Sequence, residues 1–271
     1  MVFLFQEDTM STFDTVSKQY ANKSLVQQKA AGRLIELLKI SKGDKILDVA
    51  CGPGNITDIL SKISGAPVVG TDISKAMIEQ ARKSNPGIEF INIAAEDLNY
   101  SNEFDVVFTN SSFQWFTNPD KAAKAMFSAL KPGGRIGVSC PATKDWSPAF
   151  QSAVQRVSES PLIKPVFQHW KNPWFMFHEI NDYKKFFEQQ GLKTIYANVE
   201  YEPRWFSVND AFGVYLAGAA NGFVGRQYYD VEIKDDYISR FNDMIRAEFV
   251  RASKNEKVLI DFNRLYYIGK K

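Results

Sequence analysis

The stretch Ile46-Leu-Asp-Val-Ala-Cys-Gly-Pro-Gly-Asn55 decides the fold. An apolar run enters it, two glycines interrupt it at Gly52 and Gly54, and a helical pattern leaves it at Asn55. A glycine has no Cβ, so the backbone there can turn sharply and pass close to a ligand. Free N–H groups at the start of the following helix favour a negative or polar group nearby. In an open α/β sheet such a turn lies beyond the carboxyl ends of the strands, where ligands bind. A Gly-x-Gly pair taken alone also suits a plain tight turn. The dinucleotide pattern Gly-x-Gly-x-x-Gly is not met, because position 57 is Thr57, and this argues against a pyrophosphate cofactor.

On either side, short apolar runs alternate with helical patterns. The runs are Lys45–Ala50, Pro67–Thr71, Ile88–Ile93, Phe104–Asn110 and Arg135–Cys140; Asn55–Ile63, Ser74–Ser84 and Pro119–Leu130 read as helices. Strands that are nearly all apolar, alternating with helices, imply a parallel sheet covered on both faces. A helical stretch, Ser24–Leu38, comes before the first strand. Residues 141–178 are rich in Pro, Trp and Phe, and Asn181–Gln190 is helical up to the stop signal Gly191. Leu192–Tyr201 and Lys257–Gly269 read as late strands, suited to an antiparallel addition at the sheet edge. Between them residues 205–253 are helical, with a Gly/Ala-rich break at Gly218–Gly225. One domain over 1–271 is expected, with a core at 41–140, 180–203 and 256–271. Lid-like insertions would occupy 141–179 and 204–255, and cap helices 11–40.

The chain has 33 basic and 31 acidic residues, a formal charge of +2, and no dense basic stripe, so it does not read as a dedicated nucleic-acid binder. Cys51 and Cys140 are far apart and belong to no CxxC pair, which argues against a disulfide framework or a metal site and for a reducing cytoplasm. There is no run of about 18 apolar residues, so no membrane span is expected. The opening Met1–Phe5 is apolar but lacks a basic lead and runs into Glu7 and Asp8, unlike a secretion signal; Met10 is an alternative start.

A second signal is Gly70-Thr-Asp-Ile-Ser74. Asp72 closes the second strand 20 residues after Gly52, where an acid can accept hydrogen bonds from both hydroxyls of a ribose. The alternative is a helix N-cap, a role that Ser74 can also fill. Together with the glycine turn, ribose binding is the favoured reading.

At this point four motifs carry a resemblance. Leu47-Asp-Val-Ala-Cys-Gly-Pro-Gly54, Thr71-Asp-Ile-Ser with Met77-Ile, Phe104-Asp-Val-Val-Phe-Thr-Asn-Ser-Ser-Phe-Gln-Trp115 and Leu130-Lys-Pro-Gly-Gly-Arg-Ile136 resemble, in order and spacing, the motifs of class I S-adenosylmethionine-dependent methyltransferases. The Asn-Ser-Ser-Phe-Gln-Trp string is similar to that of the trans-aconitate, malonyl-carrier-protein and juvenile hormone acid methyltransferases, which make methyl esters. Phe262-Asn-Arg-Leu-Tyr-Tyr-Ile268 and Ser24-Leu-Val-Gln27 also look like this subgroup. The resemblance implies a Rossmann-like, seven-stranded, mostly parallel sheet with one antiparallel edge strand, helices on both faces and a helical lid. It implies S-adenosylmethionine as cofactor and a small-molecule acceptor, with no nucleic acid or membrane partner, for a monomer or homodimer.

Carried over by position, the resemblance implies that Ala50, Gly52 and Gly54 line the methionine part of the cofactor while Asp48 orients their turn. Asp72 would hold the ribose, with Ile73 on the adenine and Met77 bordering it. Ala95 and Glu96 would flank the adenine; many relatives have Asp where this chain has Ala94, which leaves Glu96 or Asp97 to meet the adenine amino group. Asn110 would present its carbonyl to the cofactor amino group, and Tyr20 and Gln27 would close over its carboxylate.

Phe113, Gln114 and Trp115 follow the fourth strand, beside the expected methyl position. No single residue stands out as a catalyst. A carboxylate acceptor is already ionised at neutral pH and needs no general base, which suits a chain whose only histidines are His169 and His178. Those two read as packing or surface residues, with proton acceptance as the alternative. An acceptor anion calls for a cation: Arg204 first, beside Trp205, and Arg226 second, with Arg240 and Lys144 also available. Phe113, Trp115, Trp146, Trp174, Trp205 and Tyr215 could wall a water-excluding pocket. N- or C-methylation of another metabolite, RNA methylation and cofactor binding without catalysis are the competing readings.

Overall fold

The computed structural model describes residues 25–271. Helix α1 (Leu25–Leu38) leads into β1 (Ile46–Val49), α2 (Asn55–Ser64), β2 (Val68–Asp72), α3 (Lys75–Ser84) and β3 (Glu89–Asn92). Then come β4 (Phe104–Asn110), α4 (Pro119–Ala129) and β5 (Leu130–Pro141). The second half holds α5 (Pro148–Ser158), α6 (Lys164–Phe167), α7 (Ile180–Gln189), β6 (Lys193–Ser207), α8 (Val208–Gly218), α9 (Ala220–Val224), α10 (Asp235–Ala252) and β7 (Lys257–Lys270). No helix among the described residues is long and apolar enough to cross a membrane.

Local chemistry starts the helices where the sequence signals them. Ser74 caps α3 by accepting from Met77 N at 3.4 Å. Asn118 caps α4 by accepting from Lys121 N at 3.0 Å, with Pro119 pre-set at the first helical position. All four residues of β1 are buried, as a strand covered on both faces requires.

The sheet order is β3-β2-β1-β4-β5-β7-β6. The first five strands pair in parallel, and β7 runs antiparallel to both β5 and β6. This is the expected mostly parallel sheet with an antiparallel addition; the antiparallel strand lies one place inside the edge, which β6 forms. One face packs Leu47, Val107, Met126, Phe187 and Tyr267 together, and the other packs Ile46, Phe108 and Tyr266 against Leu34 and Leu38 of α1.

A third cluster joins α5, α8, α9 and α10 to the far ends of β6 and β7 through Phe150, Tyr215, Phe223, Phe241, Phe249 and Phe262. It is the core of the region above the sheet. β6 runs on to Ser207, past the expected end at Tyr201, because its pairing with β7 continues to Ser207↔Lys257. Arg204 and Trp205 therefore belong to the edge strand and not to a lid segment.

Candidate functional site

The glycine turn after β1 is strained where it must be open. Ala50 has φ +59, and Gly52 and Gly54 have φ +55 and +82, in the left-handed region that L side chains avoid. The two glycines serve different ends. A Cβ on Gly54 would meet Phe90 Cζ at 2.8 Å, so that glycine permits packing; a Cβ on Gly52 would meet nothing within 4 Å. Gly52 thus keeps open space above the turn.

Asp72 fastens this turn. Its Oδ2 accepts from Gly52 N at 2.9 Å and its Oδ1 from Ser74 N at 2.8 Å. Each oxygen retains lone-pair capacity for a ligand hydroxyl. Asp48 lies beneath the turn, buried, with Oδ2 accepting from Thr57 Oγ1 at 2.7 Å. Burial pushes its carboxyl up to about 7, the Thr57 hydroxyl opposes that, and the charge of Asp72 adds to it. The Cys51 thiol is pushed up as well, first by burial and then by Asp48 and Asp72.

A second strained turn follows β4, where Ser111 has φ +60. Gln114 Nε2 donates to Ser111 O at 2.9 Å, and Ser112 Oγ donates across to Ala50 O at 3.4 Å. Asn110 Nδ2 donates to Gln27 O at 3.0 Å, while its Oδ1 is buried without a partner among the described residues. Two left-handed turns at the ends of adjacent parallel strands are strain concentrated at one place, as at a ligand site.

A cleft of about 410 Å³ opens between these turns, a size suited to a small ligand. Of the residues expected to bind the cofactor, Gln27, Asp48, Ala50, Gly52 and Asn110 line it, together with Trp115. Sequence reasoning did not foresee that Leu216, Ala217, Gly218 and Asn221 would form the opposite wall. The signal was the Gly/Ala-rich break: a Cβ on Gly218 would stand 3.5 Å from Gln27 Nε2, so small residues let this segment come close.

Other expected residues are placed elsewhere. Ile73 is 75 % exposed next to Asp72, and Met77 is exposed as well, an apolar rim outside the cleft. Ala95 is buried, and Glu96 Oε1 accepts from Thr117 N, Thr117 Oγ1 and Asn118 N, so it braces the start of α4. Asp97 pairs with Lys121 at 2.7 Å. Tyr20 lies outside the described residues.

Corrections fall mainly on the acceptor side. Phe113 is fully buried among Phe116, Phe175, Phe186 and Phe187, and so is a core residue, not a pocket wall. Gln114 is buried and turned back onto Ser111. Tyr215 is fully buried in the upper core, its hydroxyl donating to Asn242 Oδ1 at 3.4 Å. Trp146 is buried against Phe150 and Trp174; Trp174 in turn meets Trp115 with ring centroids 5.6 Å apart. Arg204 sits opposite Ile260 on the edge strand and Trp205 is 55 % exposed; neither lines the cleft. Arg226 pairs with Asp235 at 2.6 Å on a separate surface. His169 pairs with Asp230 at 2.8 Å, and His178 is exposed.

Against known proteins, residues 46–134 match the family described as a methyltransferase domain. The chain is 30% identical over 136 residues to the trans-aconitate 2-methyltransferase of Paracidovorax citrulli, covering 49% of this chain and 52% of that one. It is 29% identical over 130 residues to the malonyl-[acyl-carrier protein] O-methyltransferase of Calditerrivibrio nitroreducens, covering 46% and 51%. Residues 46–134 are therefore similar to the methyltransferase domain of S-adenosylmethionine-dependent enzymes. The matches span about half the length of these curated relatives. Among solved structures, the YcgJ protein of Bacillus subtilis shares this chain's fold with TM-score 0.60 at 16% identity, covering 90% of this chain and 98% of that one. Geranyl diphosphate C-methyltransferase from Streptomyces coelicolor does so with TM-score 0.51 at 13% identity, covering 89% and 76%.

The residues present fit S-adenosylmethionine, the cofactor of the methyltransferases that the chain resembles. Gly52 leaves room above a strained turn, Asp72 offers a carboxylate beside it, Ile73 and Met77 supply an apolar rim, and Asn110 Oδ1 is a buried acceptor without a partner among the described residues.

Proposed function

We propose that this chain transfers a methyl group from S-adenosylmethionine to a carboxylate oxygen of a small molecule, giving a methyl ester. The observation that carries the reading is the set of groups that line the cleft. Among the described residues there, the only titratable side chains are the Asp48 carboxyl, buried beneath the turn with its Oδ2 accepting from Thr57 Oγ1, and the Cys51 thiol, which burial keeps protonated. No histidine, lysine or tyrosine of the described part lines it. An amine or phenol would need its proton removed, whereas a carboxylate arrives without one. The names of the relatives, which include two kinds of carboxyl methyltransferase, support the same class.

When bound, S-adenosylmethionine supplies an electrophilic methyl group on a sulfonium centre. The chain's own part is to bind, align and keep water out. Gly52 and Ala50 would pass their backbone beside the methionine end, Asp72 would accept from the ribose hydroxyls, and Asn110 Oδ1 would accept from the α-amino group. Gln27 and Asn221 would close the cleft from opposite sides, and Trp115, backed by Trp174, would wall the methyl position.

The test is a transfer assay with tritiated-methyl cofactor and a panel of mono-, di- and tricarboxylic acids. Base-labile label in the product is expected. Base-stable label would replace the ester reading with N- or C-methylation, and cofactor binding without any transfer to acids, amines or phenols would leave a binding protein.

A further inference from the structure

Arg204 and Arg226 do not supply the cation that the acceptor calls for, but a different arginine stands behind the cleft wall, against Ser111. Arg264, on β7, is 3 % exposed. Its Nη1 donates to Ser111 Oγ at 2.9 Å, and Ser111 lines the cleft. Its Nε has no partner among the described residues. The Nε edge is the fork with which a guanidinium grips a carboxylate side-on.

No described carboxylate neutralises this charge. Glu200, directly opposite Arg264 on β6, is engaged by Arg33 Nη2 at 2.9 Å. Glu202, two residues on, accepts from the Tyr266 hydroxyl at 2.7 Å. A guanidinium keeps its proton at any accessible pH, so burial without a counter-ion is a standing cost to the fold. Such a cost is expected where an anion is brought in from outside.

Unpaired polar atoms gather around it. Strand alternation places Asn110, Ser139 and Arg264 on the face covered by α1, the face on which Phe108 and Tyr266 pack against Leu34. Ser139 Oγ, like Arg264 Nε, is buried with no partner among the described residues, and Asn110 Oδ1, assigned above to the cofactor's amino group, lies on the same face. Ser111 is held in place between them, its N–H donating to Ser139 O at 2.6 Å. Buried polar groups left unpaired together mark a place that a ligand or water completes.

Position separates this place from the ribose end of the cofactor. In the order β2-β1-β4-β5-β7, Arg264 lies three strands from β1, on the order of 14 Å at about 4.8 Å per strand, and Asp72 lies on the other side of β1. We propose that Arg264 and Ser111 form the carboxylate subsite for the methyl acceptor, the guanidinium pairing with the anion through its Nε edge and the Ser111 hydroxyl closing the subsite toward the cleft. This rests on the carboxylate reading above and names the residues that would enforce it.

The test uses the whole chain saturated with S-adenosylhomocysteine, titrated calorimetrically with malonate and with trans-aconitate at constant ionic strength. At least one dicarboxylate or tricarboxylate is expected to bind. Arg264→Gln should weaken it by about tenfold or more while S-adenosylhomocysteine affinity stays within about twofold, and Arg264→Lys should fall between. Arg264→Gln should also melt no lower than the parent, since it removes an unpaired buried charge. The subsite is overturned if neither acid binds the parent, if Arg264→Gln binds as the parent does, or if affinity for S-adenosylhomocysteine falls in step, which would give the guanidinium to the cofactor's own carboxylate. Should the Gln variant fail to fold, Arg264→Lys decides on the same two affinities, because it keeps the charge and loses the fork. Ester formation that survives unimpaired in Arg264→Gln would sink the subsite and leave the proposed reaction standing, whereas base-stable label from the parent would sink the reaction itself.

Discussion

Gly52 N–H donates to Asp72 Oδ2 over 2.9 Å, so the acid that closes β2 also clasps the turn that closes β1. Asp72→Ala removes both this clasp and the proposed ribose contact. Affinity for S-adenosylhomocysteine is expected to fall by roughly 10- to 100-fold, the loss of one or two charge-assisted hydrogen bonds. Calorimetric titration checks it, and an unchanged dissociation constant would remove Asp72 from the site.

The two glycines of the turn should respond differently to alanine. Gly54→Ala places a Cβ 2.8 Å from Phe90 at φ +82, so a stability loss of about 2 kcal/mol or more is expected from strain and overpacking together. Gly52→Ala meets no neighbour, so it should cost only the left-handed penalty of about 1 kcal/mol. Its methyl group points into the open space instead, and cofactor affinity should suffer more than stability. Urea midpoints paired with binding curves separate the two, and equal effects on both measures would refute the distinction.

Asp48 should make stability depend on pH. Its folded-state carboxyl titrates at about 7 against an ordinary 3.8, chiefly through burial. Between those values the folded chain holds a proton that the unfolded chain has released, so stability falls as pH rises through that window and levels off above it. Asp48→Asn cannot titrate, yet its amide oxygen can still accept from Thr57. Between pH 5 and pH 8 the stability of the variant relative to the parent should rise by roughly 3 kcal/mol. Denaturant titrations at both pH values test this, and a constant difference would mean that Asp48 is ionised throughout.

The aromatic wall above the cleft depends on a small residue. A Cβ on Gly222 would lie 2.0 Å from Trp174 Cζ2, and Trp170 Nε1 donates to Gly222 O at 2.7 Å. Gly222→Ala must displace Trp174, which touches both Trp115 and Trp146. A loss of about 1–3 kcal/mol is expected, with a changed tryptophan fluorescence spectrum. An unaltered spectrum and midpoint would show that the wall yields freely.

Much of the sheet was legible because its signals are local. Phe104–Asn110 is the same strand in the sequence and in the structure, and Asn55 and Lys75 begin helices where the glycine turn and Ser74 announce them. The local pattern over Leu192–Tyr201 stops short of the strand, because nothing local marks its end: the strand continues only where β7 pairs with it. Aromatic residues misled for a related reason. Phe113 and Tyr215 have the chemistry of pocket walls, but contacts with Phe187 and Phe249, distant in the chain, bury them.

By itself the sequence determined the strand–helix alternation, the open glycine turn and the acid facing it, since each depends on backbone freedom or apolar runs within a few residues. Only the tertiary structure decided which arginine is enclosed. Arg204, Arg226 and Arg264 carry the same group, and what separates them is the placement of β7 between β5 and β6, which buries one guanidinium beside Ser111 and leaves the others outside the cleft. Burial is set by contacts between segments far apart in the chain, and no residue carries that information alone.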